Sequence, residues 1–406
     1  MNALMLPLNW QRVKLGDVAE IIGGGTPSTQ ITSFWNGSIN WFTPTEIGIT
    51  KYVYKSQRTI TPLGLKKSST KLLPIGTILL TSRASIGDCA ILKEIATTNQ
   101  GFQSLIPLEK INNEFLYYLI LTLKNKLLKL ASGSTFLEVS PNKIKNLLIP
   151  LPPLDEQIAI ANILSDVDHY LYSLDALILK KESVKKALSL ELLSQRKRLK
   201  GFNQNWQRVR LGDIGITISG LAGKTKQDFI NGNAKYITFL NVLNNVIIDT
   251  SILENVKIYP NEKQNSFKKY DLFFNTSSET PKEVGMCAVL LDDIDQVFLN
   301  SFCFGFRIFD KAVDSLFLSY LINSEIGRKA FENLAQGSTR YNLSKSGFNN
   351  VCLFLPPLNE QIAIANILSA LDHEIISLKN KKRQFENIKK ALNHDLMSAK
   401  IRVLKK

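Results

Sequence analysis

The sequence predicts a mixed α/β protein, built as two strand-rich globular domains that are each followed by a long helix. A repeat, an apolar stripe with helical spacing and segments of β-type composition lead to this prediction. The stretch LPPLDEQIAIANILS begins at Leu151 and returns as LPPLNEQIAIANILS at Leu355, 204 positions later (355 − 151). NWQRVKLGD at 9–17 likewise returns as NWQRVRLGD at 205–213. Repeats of this size indicate two copies of one plan.

The repeat is a common frame around two different inserts. ASGST at 131–135 returns as AQGST at 335–339, but the middles of the copies share spacing and little identity. The predicted order is therefore globule, helix, globule, helix. Its boundaries are a first domain at 1–150, a first long helix at 151–200, a second domain at 201–354 and a second long helix at 355–406. The divergent middles are residues 20–110 and 216–310.

Each long helix is predicted from its start signal and its stripe. A proline pair in each copy ends the preceding element, and Asp155 and Asn359 are the expected N-caps. Apolar residues then recur at spacings of three and four, as in a heptad seam interrupted by lysines. The seam, predicted to form the helix-pair and partner interface, comprises Ile160, Leu164, Val167, Leu171, Leu174, Ile178, Ile364, Leu368, Leu371, Ile375, Leu378 and Phe385.

The length of these helices favours pairing with each other. A helix of ~40 residues is roughly 60 Å long and outreaches a domain of ~150 residues. We therefore expect an antiparallel coiled coil with pseudo-twofold symmetry that separates the two globules. The alternative is that each stripe packs on its own globule.

The globules combine β-type segments with polar loops at strand ends. Residues 76–82, 235–242 and 297–309 have strand composition, and residues 115–130 and 317–334 are expected to form closing helices. Ser, Thr, Asn, Gln and Arg on loops are side chains that read base edges and grip phosphates, although any one loop is also explained by turn chemistry. These loops are 81–88, 97–102, 132–136, 275–280, 299–302 and 336–346.

Composition narrows the class of protein. Lysine and arginine number 50 against 35 acidic residues, a net charge of +15, which suits a polyanionic partner such as nucleic acid. No apolar run approaches the ~20 residues of a membrane span, and the N-terminus does not read as a signal peptide, so we expect a cytoplasmic protein without a membrane partner. The four cysteines and three histidines lack metal-ligand spacing, so no metal is expected.

The segment GLAGKT at 220–225 resembles part of a phosphate-binding loop. The full motif requires a glycine at the position of Ile218, so nucleotide hydrolysis is not expected. A turn beside a strand, with Lys224 near a DNA phosphate, is the favoured interpretation. The sequence contains no other pattern that supports catalysis or a bound cofactor in this chain.

The chain resembles the specificity (S) subunits of type I restriction–modification systems over essentially its whole length. The resemblance rests on GGGTPS at 23–28, TTNQGF at 97–102, and the two GST turns, each followed by LPPL-x-EQ and a helix. The second copy departs from it, with SGLAGKT at 219–225 where the first has GGGTPS.

This resemblance implies a non-catalytic, DNA-binding subunit. Each globule would be a target recognition domain that reads one half of a bipartite, asymmetric sequence in double-stranded DNA. The helices would set the spacing and dock two methyltransferase (M) subunits, which would bind S-adenosylmethionine and methylate adenine. Restriction (R) subunits, where present, would use ATP and Mg²⁺ for translocation and cleavage. The alternatives are a coiled-coil scaffold that joins two protein-binding domains, and a self-contained nuclease or methyltransferase.

Arg83, Arg340 and Lys345 are the leading candidates for DNA contact, although Arg83 could instead form a structural ion pair. The complete set of predicted DNA-binding residues is Lys66, Lys67, Ser82, Arg83, Asn99, Gln100, Gly133, Ser134, Thr135, Lys224, Thr276, Ser277, Asn300, Gly337, Ser338, Thr339, Arg340 and Lys345.

Overall fold

The structure, a computed structural model, describes residues 6–133, 137–332, 334, 337 and 340–403. The chain forms two compact units, one made of Met1–Asp175 with Asn380–Lys406 and the other of Ala176–Lys379. Each unit therefore contains one globular part together with segments of both long helices. Among the described residues, no helix has the length and apolar character to cross a membrane.

The elements of the first half begin with a strand formed by the repeated NWQRV segment. In chain order they are β1 (Gln11–Lys14), β2 (Ala19–Gly23), β3 (Trp35–Phe42), β4 (Tyr52–Val53), β5 (Arg58–Ile60), α1 (Pro62–Lys66), β6 (Ile78–Leu80), β7 (Cys89–Leu92), β8 (Ala96–Thr98), β9 (Gln103–Pro107), α2 (Asn113–Leu130), α3 (Pro141–Lys145), β10 (Leu148–Leu151) and the first long helix, α4 (Leu154–Leu193).

The second half repeats this order with local differences. Its elements are β11 (Gln207–Arg210), α5 (Leu211–Ile214), β12 (Gly215–Ser219), β13 (Ala234–Ile237), α6 (Phe239–Asn244), β14 (Glu254–Val256), β15 (Leu272–Asn275), β16 (Ser277–Ser278), β17 (Cys287–Val289), β18 (Val297–Leu299), β19 (Cys303–Ile308), α7 (Ser315–Asn323), α8 (Glu325–Glu332), β20 (Tyr341–Asn342), α9 (Lys345–Asn349), β21 (Cys352–Leu355) and the second long helix, α10 (Leu358–Met397).

The divergent middles have similar sheet topologies, with one additional edge strand, β4, in the first unit. In the first unit the strand orders are β2-β9-β6-β7-β4 and β5-β3-β8, and in the second they are β12-β19-β15-β17 and β14-β13-β18. In both three-stranded sheets the central strand has one antiparallel and one parallel neighbour. In each unit a separate ribbon pairs the opening strand with the strand before the long helix, β1 with β10 and β11 with β21. Little sequence identity is needed, because strands such as β6, β7, β15 and β17 are buried along their whole length, where many apolar residues can be accommodated.

The mixed α/β class with two strand-rich parts and long helices is confirmed, but three segments differ from expectation. Residues 235–242 form a strand and then α6, because the Thr238 hydroxyl accepts from the Asn241 amide and caps a helix. Residues 297–309 form two strands instead of one. The closing helix expected at 317–334 is two helices, α7 and α8, separated at Ser324.

Both long helices are 40 residues, as their stripes predict, but the predicted N-caps are wrong. The helices begin at Leu154 and Leu358, so Asp155 and Asn359 lie inside the first turn. A proline therefore occupies each N-cap position, and the carbonyls of Pro153 and Pro357 accept from the amides of Gln157 (3.0 Å) and Gln361 (3.1 Å).

The repeated EQ pair ties each long helix to its globule. Gln157 donates to the carbonyl of Pro152 (2.8 Å) and accepts from the amide of Asn112 (2.8 Å). In the second unit Gln361 donates to Pro356 (2.7 Å) and accepts from the amide of Asp314. In each unit the glutamine thus bonds one backbone group just before the long helix and one just before the closing helix of the globule. Because buried backbone groups need such partners, the repeated glutamine has a structural role.

The glutamate of the pair is buried against an arginine. Glu156 accepts two bonds from Arg402 (2.7 and 3.0 Å) and one from the indole N–H of Trp10 (3.0 Å). Glu360 accepts two from Arg198 (2.7 and 2.6 Å). In both units, therefore, a bidentate arginine–glutamate pair holds the first turn of the long helix.

Within the first unit, the early part of α4 packs against the late part of α10 in antiparallel fashion. Asp175 pairs with Lys382 (2.6 Å), Asp168 pairs with Lys389, and Tyr170 packs on Phe385 with ring centroids 4.6 Å apart.

Within the second unit, the late part of α4 packs against the early part of α10, also antiparallel. Lys185 pairs with Asp372 (2.5 Å) and Lys181 with Glu374 (2.8 Å). The lysines that interrupt the seam therefore form ion pairs between the helices.

A tyrosine connects each globule to this helix packing. In the first unit Tyr118 donates to Asp168 (2.5 Å), and the buried Lys51 donates to the Tyr118 hydroxyl (2.9 Å). In the second unit Tyr320 donates to Asp372 (2.7 Å). Burial, reinforced by these bonds to carboxylates, raises the pKa of both phenols, so both remain proton donors at neutral pH.

The seam residues are all buried or half-buried. The first turns of each seam pack on the globule, Ile160 and Leu164 in the first unit and Ile364 and Leu368 in the second. Packing on the globule and packing between helices therefore coexist. The buried members are Ile160, Leu164, Leu174, Ile178, Ile364, Leu368 and Ile375, and the half-buried ones are Val167, Leu171, Leu378, Leu371 and Phe385.

Candidate nucleic-acid interface

Polar loops far apart in the first half of the sequence meet in the first unit. The Gly25 amide donates to the carbonyl of Thr98 (2.9 Å). The amide and hydroxyl of Ser82 both donate to the carbonyl of Gly101 (2.8 and 3.1 Å), and the Ser82 carbonyl accepts from Val139 (3.1 Å). We call the segments joined in this way the first loop cluster: 23–28, 81–88, 97–102 and the described part of 132–139.

The loop that carries the predicted lysines reaches the same place. The Thr70 hydroxyl donates to the carbonyl of Thr98 (2.8 Å), and a Cβ at Gly25 would lie 2.2 Å from the Ser69 hydroxyl oxygen. Lys66 and Lys67, just before this contact, are exposed. Two exposed cations therefore lie beside the first loop cluster.

Three predicted side chains of the first loop cluster have partners there. Asn99 holds its own turn, because its side-chain oxygen accepts from the Gly101 amide (2.8 Å). The Thr26 hydroxyl donates to the exposed side chain of Gln100. Arg83 forms an ion pair with Glu138 (2.8 Å), yet 41% of its side chain remains exposed. The ion-pair alternative for Arg83 is thus realised, and its guanidinium still faces solvent.

An equivalent cluster forms in the second unit. The Leu221 amide donates to Leu299 (2.8 Å), the amide and hydroxyl of Thr276 donate to the carbonyl of Phe302 (2.9 and 2.8 Å), and the Thr276 carbonyl accepts from Leu343 (2.8 Å). We call these segments the second loop cluster: 219–222, 275–280, 299–302 and 340–345.

The two clusters use the same turn geometry. The Asn300 side-chain oxygen accepts from the Phe302 amide (2.8 Å), as Asn99 does from Gly101 in the first unit. A Cβ on Gly220 would lie 2.3 Å from the carbonyl oxygen of Asn300. The equivalence shows that SGLAGKT occupies the place of GGGTPS, despite its different sequence.

The close approach of the 23–28 and 97–102 loops explains why residue 24 is a glycine. A Cβ on Gly24 would lie 1.8 Å from the carbonyl oxygen of Asn99, well inside van der Waals contact. We expect Gly24→Ala to separate the two loops and to lower the free energy of unfolding by about 1–3 kcal/mol. Hydrogen–deuterium exchange of a peptide covering 97–102 should show faster exchange.

Gly23→Ala is the matched control, because its new methyl would meet its nearest atom, on Gln103, at 3.7 Å. Equal exchange rates for the two variants would contradict close approach as the reason for glycine at position 24.

The predicted residues differ in what they offer to a ligand. Ser82 and Ser277 are buried, the first by its bond to Gly101 and the second within a short ribbon, so neither has a free side chain for DNA. Ser134, Thr135, Ser338 and Thr339 lie outside the described residues. The exposed members are Lys66, Lys67, Gln100, Gly133, Gly337, Arg340 and Lys345, and the half-buried ones are Arg83, Asn99, Lys224, Thr276 and Asn300.

Lys224 is the clearest correction. Its ammonium donates to the carbonyl of Lys257 (2.6 Å) and pairs with Glu262 (2.5 Å), leaving 5% of the side chain exposed. The Lys224 bond, with further bonds from Gln264 and the Tyr259 amide, lowers the pKa of Glu262 to about 2. Lys224 therefore stabilises its own turn, and its charge is already neutralised.

Two cations mark the second loop cluster. Arg340 is exposed, and its guanidinium lies 5.5 Å from the ring centroid of Phe302, within cation–π range. Lys345, the first residue of α9, donates to the hydroxyl of Ser219 (2.6 Å) and remains exposed. Phe302 was not among the predicted residues; the only sequence signal is an aromatic residue where the first copy has Gly101.

Within the described residues, no group of three or more His, Cys, Asp or Glu side chains could hold a metal ion. All four cysteines are free, and burial raises the pKa of Cys89, Cys287 and Cys303, which leaves these thiols uncharged. The clusters thus offer hydrogen-bonding groups and positive charge.

The sequence profile of the type I restriction modification DNA specificity domain matches residues 7–181 and again 203–387. The chain belongs to this family. The resemblance to S subunits is thereby confirmed, and the two matches coincide with the two copies of the repeat.

Individual relatives agree with this membership. The specificity subunit of the type I restriction enzyme MjaIX from Methanocaldococcus jannaschii is 32% identical over 299 residues, 68% of each chain. The MjaVIII specificity subunit of the same organism is 26% identical over 99% of this chain and 95% of its own. A crystal structure of the S subunit of a type I restriction–modification system from M. genitalium has a TM-score of 0.60 at 17% identity, covering 97% of this chain and 98% of its own, and so shares the fold.

Proposed function

We propose that each loop cluster reads one half of a bipartite, asymmetric target in double-stranded DNA. The observation that carries this proposal is that two equivalent backbone frameworks present different side chains. Where the first cluster has Gln100 and Gly101, the second has Ser301 and Phe302. Two similar frameworks that present different side chains are what recognition of two different half-sites requires.

The chemistry of the exposed groups supports a division of labour. Lys66, Lys67, Arg340 and Lys345 can contact phosphates, and each such contact adds about one unit to the salt dependence of binding. Arg83, Asn99 and Gln100 carry donors and acceptors that can pair with base edges, each good pair contributing ~1–3 kcal/mol of discrimination. The net charge of +15 supports the same partner.

The long helices would separate the half-sites and dock two methyltransferase subunits. We propose a coiled coil with pseudo-twofold symmetry, supported by the equivalent contacts of Asp168 with Lys389 and of Asp372 with Lys185. The chain would be non-catalytic and cytoplasmic. S-adenosylmethionine would bind to the methyltransferase subunits, and ATP and Mg²⁺ to restriction subunits where these are present. A base inside a duplex must be flipped out for methylation, so another subunit has to fix the register.

Methylation mapping tests this proposal directly. The chain would be co-expressed with its methyltransferase subunits, and N6-methyladenine would be read from the host DNA by single-molecule sequencing. We expect one split motif with two unlike halves and a fixed gap. Exchanging residues 20–110 for those of another S subunit should change one half of the motif and leave the other half and the gap unchanged.

The reciprocal exchange of residues 216–310 is the matched control and should change the other half alone. If the methyltransferase subunits are active with a different S subunit but yield no motif with this chain, the DNA-reading role is excluded. A scaffold that joins two protein-binding domains would then be the better account.

A further inference from the structure

The ring of Phe302 is held at the surface of the second loop cluster by its own backbone. Its amide donates to Asn300, and its carbonyl accepts two bonds from Thr276. Three bonds on one residue fix where the side chain leaves the turn, yet 54% of Phe302 is exposed. Exposing a large apolar ring to water costs free energy, and the hydrogen-bonded turn keeps this ring exposed.

The first unit has no side chain at the equivalent place. Gly101 makes the same bonds, and a Cβ there would lie 2.7 Å from the ring of Pro44. The first loop cluster therefore cannot carry an aromatic ring at this turn. The difference lies between two otherwise matching turns, so the shared framework does not require the ring of Phe302.

The surroundings of the ring indicate its partner. The Arg340 guanidinium lies 5.5 Å from the ring centroid, and both Arg340 and Lys345, which belongs to the same loop cluster, are exposed. Exposed cations beside an apolar ring match a ligand that has anionic groups next to apolar faces. Phosphates and bases have this arrangement in DNA, and base–aromatic contacts contribute substantially to binding.

We propose that Phe302 contacts a base of the second half-site with its ring, while Arg340 contacts the adjacent phosphate. The contact would be apolar, either insertion of the ring at an opened base step or packing against a thymine methyl group in the major groove. The first half-site would be read without an aromatic contact at this turn. This inference rests on the proposed function, since it requires that the second loop cluster reads DNA.

The test is the affinity of the complete complex with methyltransferase subunits for a duplex that carries its methylation motif. We expect Phe302→Ala to weaken binding by about 10- to 100-fold, with the salt slope unchanged because no phosphate contact is lost. Phe302→Leu should recover part of the loss. Arg340→Ala should instead lower the salt slope by about one unit.

Phe354→Ala is the matched control, because Phe354 is also 54% exposed but lies on β21, outside the loop cluster. It should bind like the wild type. Placing 2-aminopurine at each position of the second half-site should locate the contact, since its fluorescence will change on binding to the wild type and less with Phe302→Ala.

The outcomes separate this inference from the proposed function. If the wild-type complex binds its motif specifically and Phe302→Ala binds equally well, the inference is wrong and the proposed function stands. If Phe302→Ala releases methyltransferase subunits while DNA affinity per assembled complex is unchanged, Phe302 is a protein contact and the inference is also wrong. A wild-type complex without sequence preference would overturn the proposed function itself.

Discussion

Replacing Phe348 with alanine is expected to lower the free energy of unfolding of the second unit by about 4 kcal/mol, the range for a fully buried aromatic residue. Phe348 is fully buried in α9 and packs against four other phenylalanine rings. Its centroid distances are 4.8 Å to Phe274, 5.0 Å to Phe304, 5.1 Å to Phe306 and 6.1 Å to Phe331. The cost is large because the surrounding rings belong to two strands and a helix and cannot all move into the space.

The Phe348→Ala substitution should also disturb the second loop cluster. Lys345 begins the short helix that Phe348 anchors, so losing the anchor should release the lysine from Ser219. Hydrogen–deuterium exchange of the full chain would measure both effects, with peptides covering 272–276 and 303–308 losing protection.

Phe354→Ala supplies the comparison here as well, since removing a half-exposed ring should change the free energy by less than about 0.5 kcal/mol. Peptides from the first unit should be unaffected by either substitution. Similar losses of protection in the two variants would show that the ring cluster does not carry the stability of the second unit.

Replacing Glu156 with alanine is expected to cost the first unit about 3 kcal/mol, because it leaves a partly buried guanidinium without its carboxylate. Glu156 is 1% exposed and joins three parts of the chain: the first turn of α4, Trp10 before β1, and Arg402 after α10. Its loss should expose the ends of the chain first. Hydrogen–deuterium exchange of peptides covering 7–14 and 395–403 is the measurement.

A double-mutant cycle with Arg402→Ala identifies the cause. The double variant should be more stable than the sum of the single losses predicts, because the unpaired cation is then absent. Glu109→Ala, at an exposed carboxylate of the same unit, should be nearly neutral. Additive losses in the cycle would show that Glu156 acts through Trp10 or through packing instead.

The frame could be predicted from the sequence because its residues repeat for local reasons. The proline pair precedes each long helix, the EQ pair bonds it to its globule, and the apolar stripe packs it on the globule and on the other helix. Each of these features occurs in both halves of the chain. The N-cap prediction failed by two residues because it assumed a capping side chain where a proline occupies the N-cap position. The common topology of the middles was beyond sequence comparison, since buried strands accept many apolar residues.

The candidate interface was predicted at the level of loops and less well at the level of side chains. Ser82 and Arg83 are neighbours with the same expectation, yet one is buried and the other half-exposed because strand pairing decides which side faces solvent. Lys224 was misjudged because its partner, Glu262, is 38 positions away. Phe302 was missed because apolar residues are normally assigned to the core.

The ion pairs between the long helices have a directional meaning. In both helices most acidic members of these pairs come first and the lysines later: Asp168 and Asp175 before Lys181 and Lys185 in α4, and Asp372 before Lys382 and Lys389 in α10. Glu182, which follows Lys181 and pairs with Lys379, is the exception. Side by side in the same direction, the helices would set like charges against each other. Each ion pair contributes only about 0–1 kcal/mol in water. The free-energy difference between the parallel and antiparallel directions is larger, because it includes every attraction gained and every repulsion avoided. The charge order of both helices therefore favours the antiparallel direction, in which the early acidic residues of one helix lie beside the late lysines of the other.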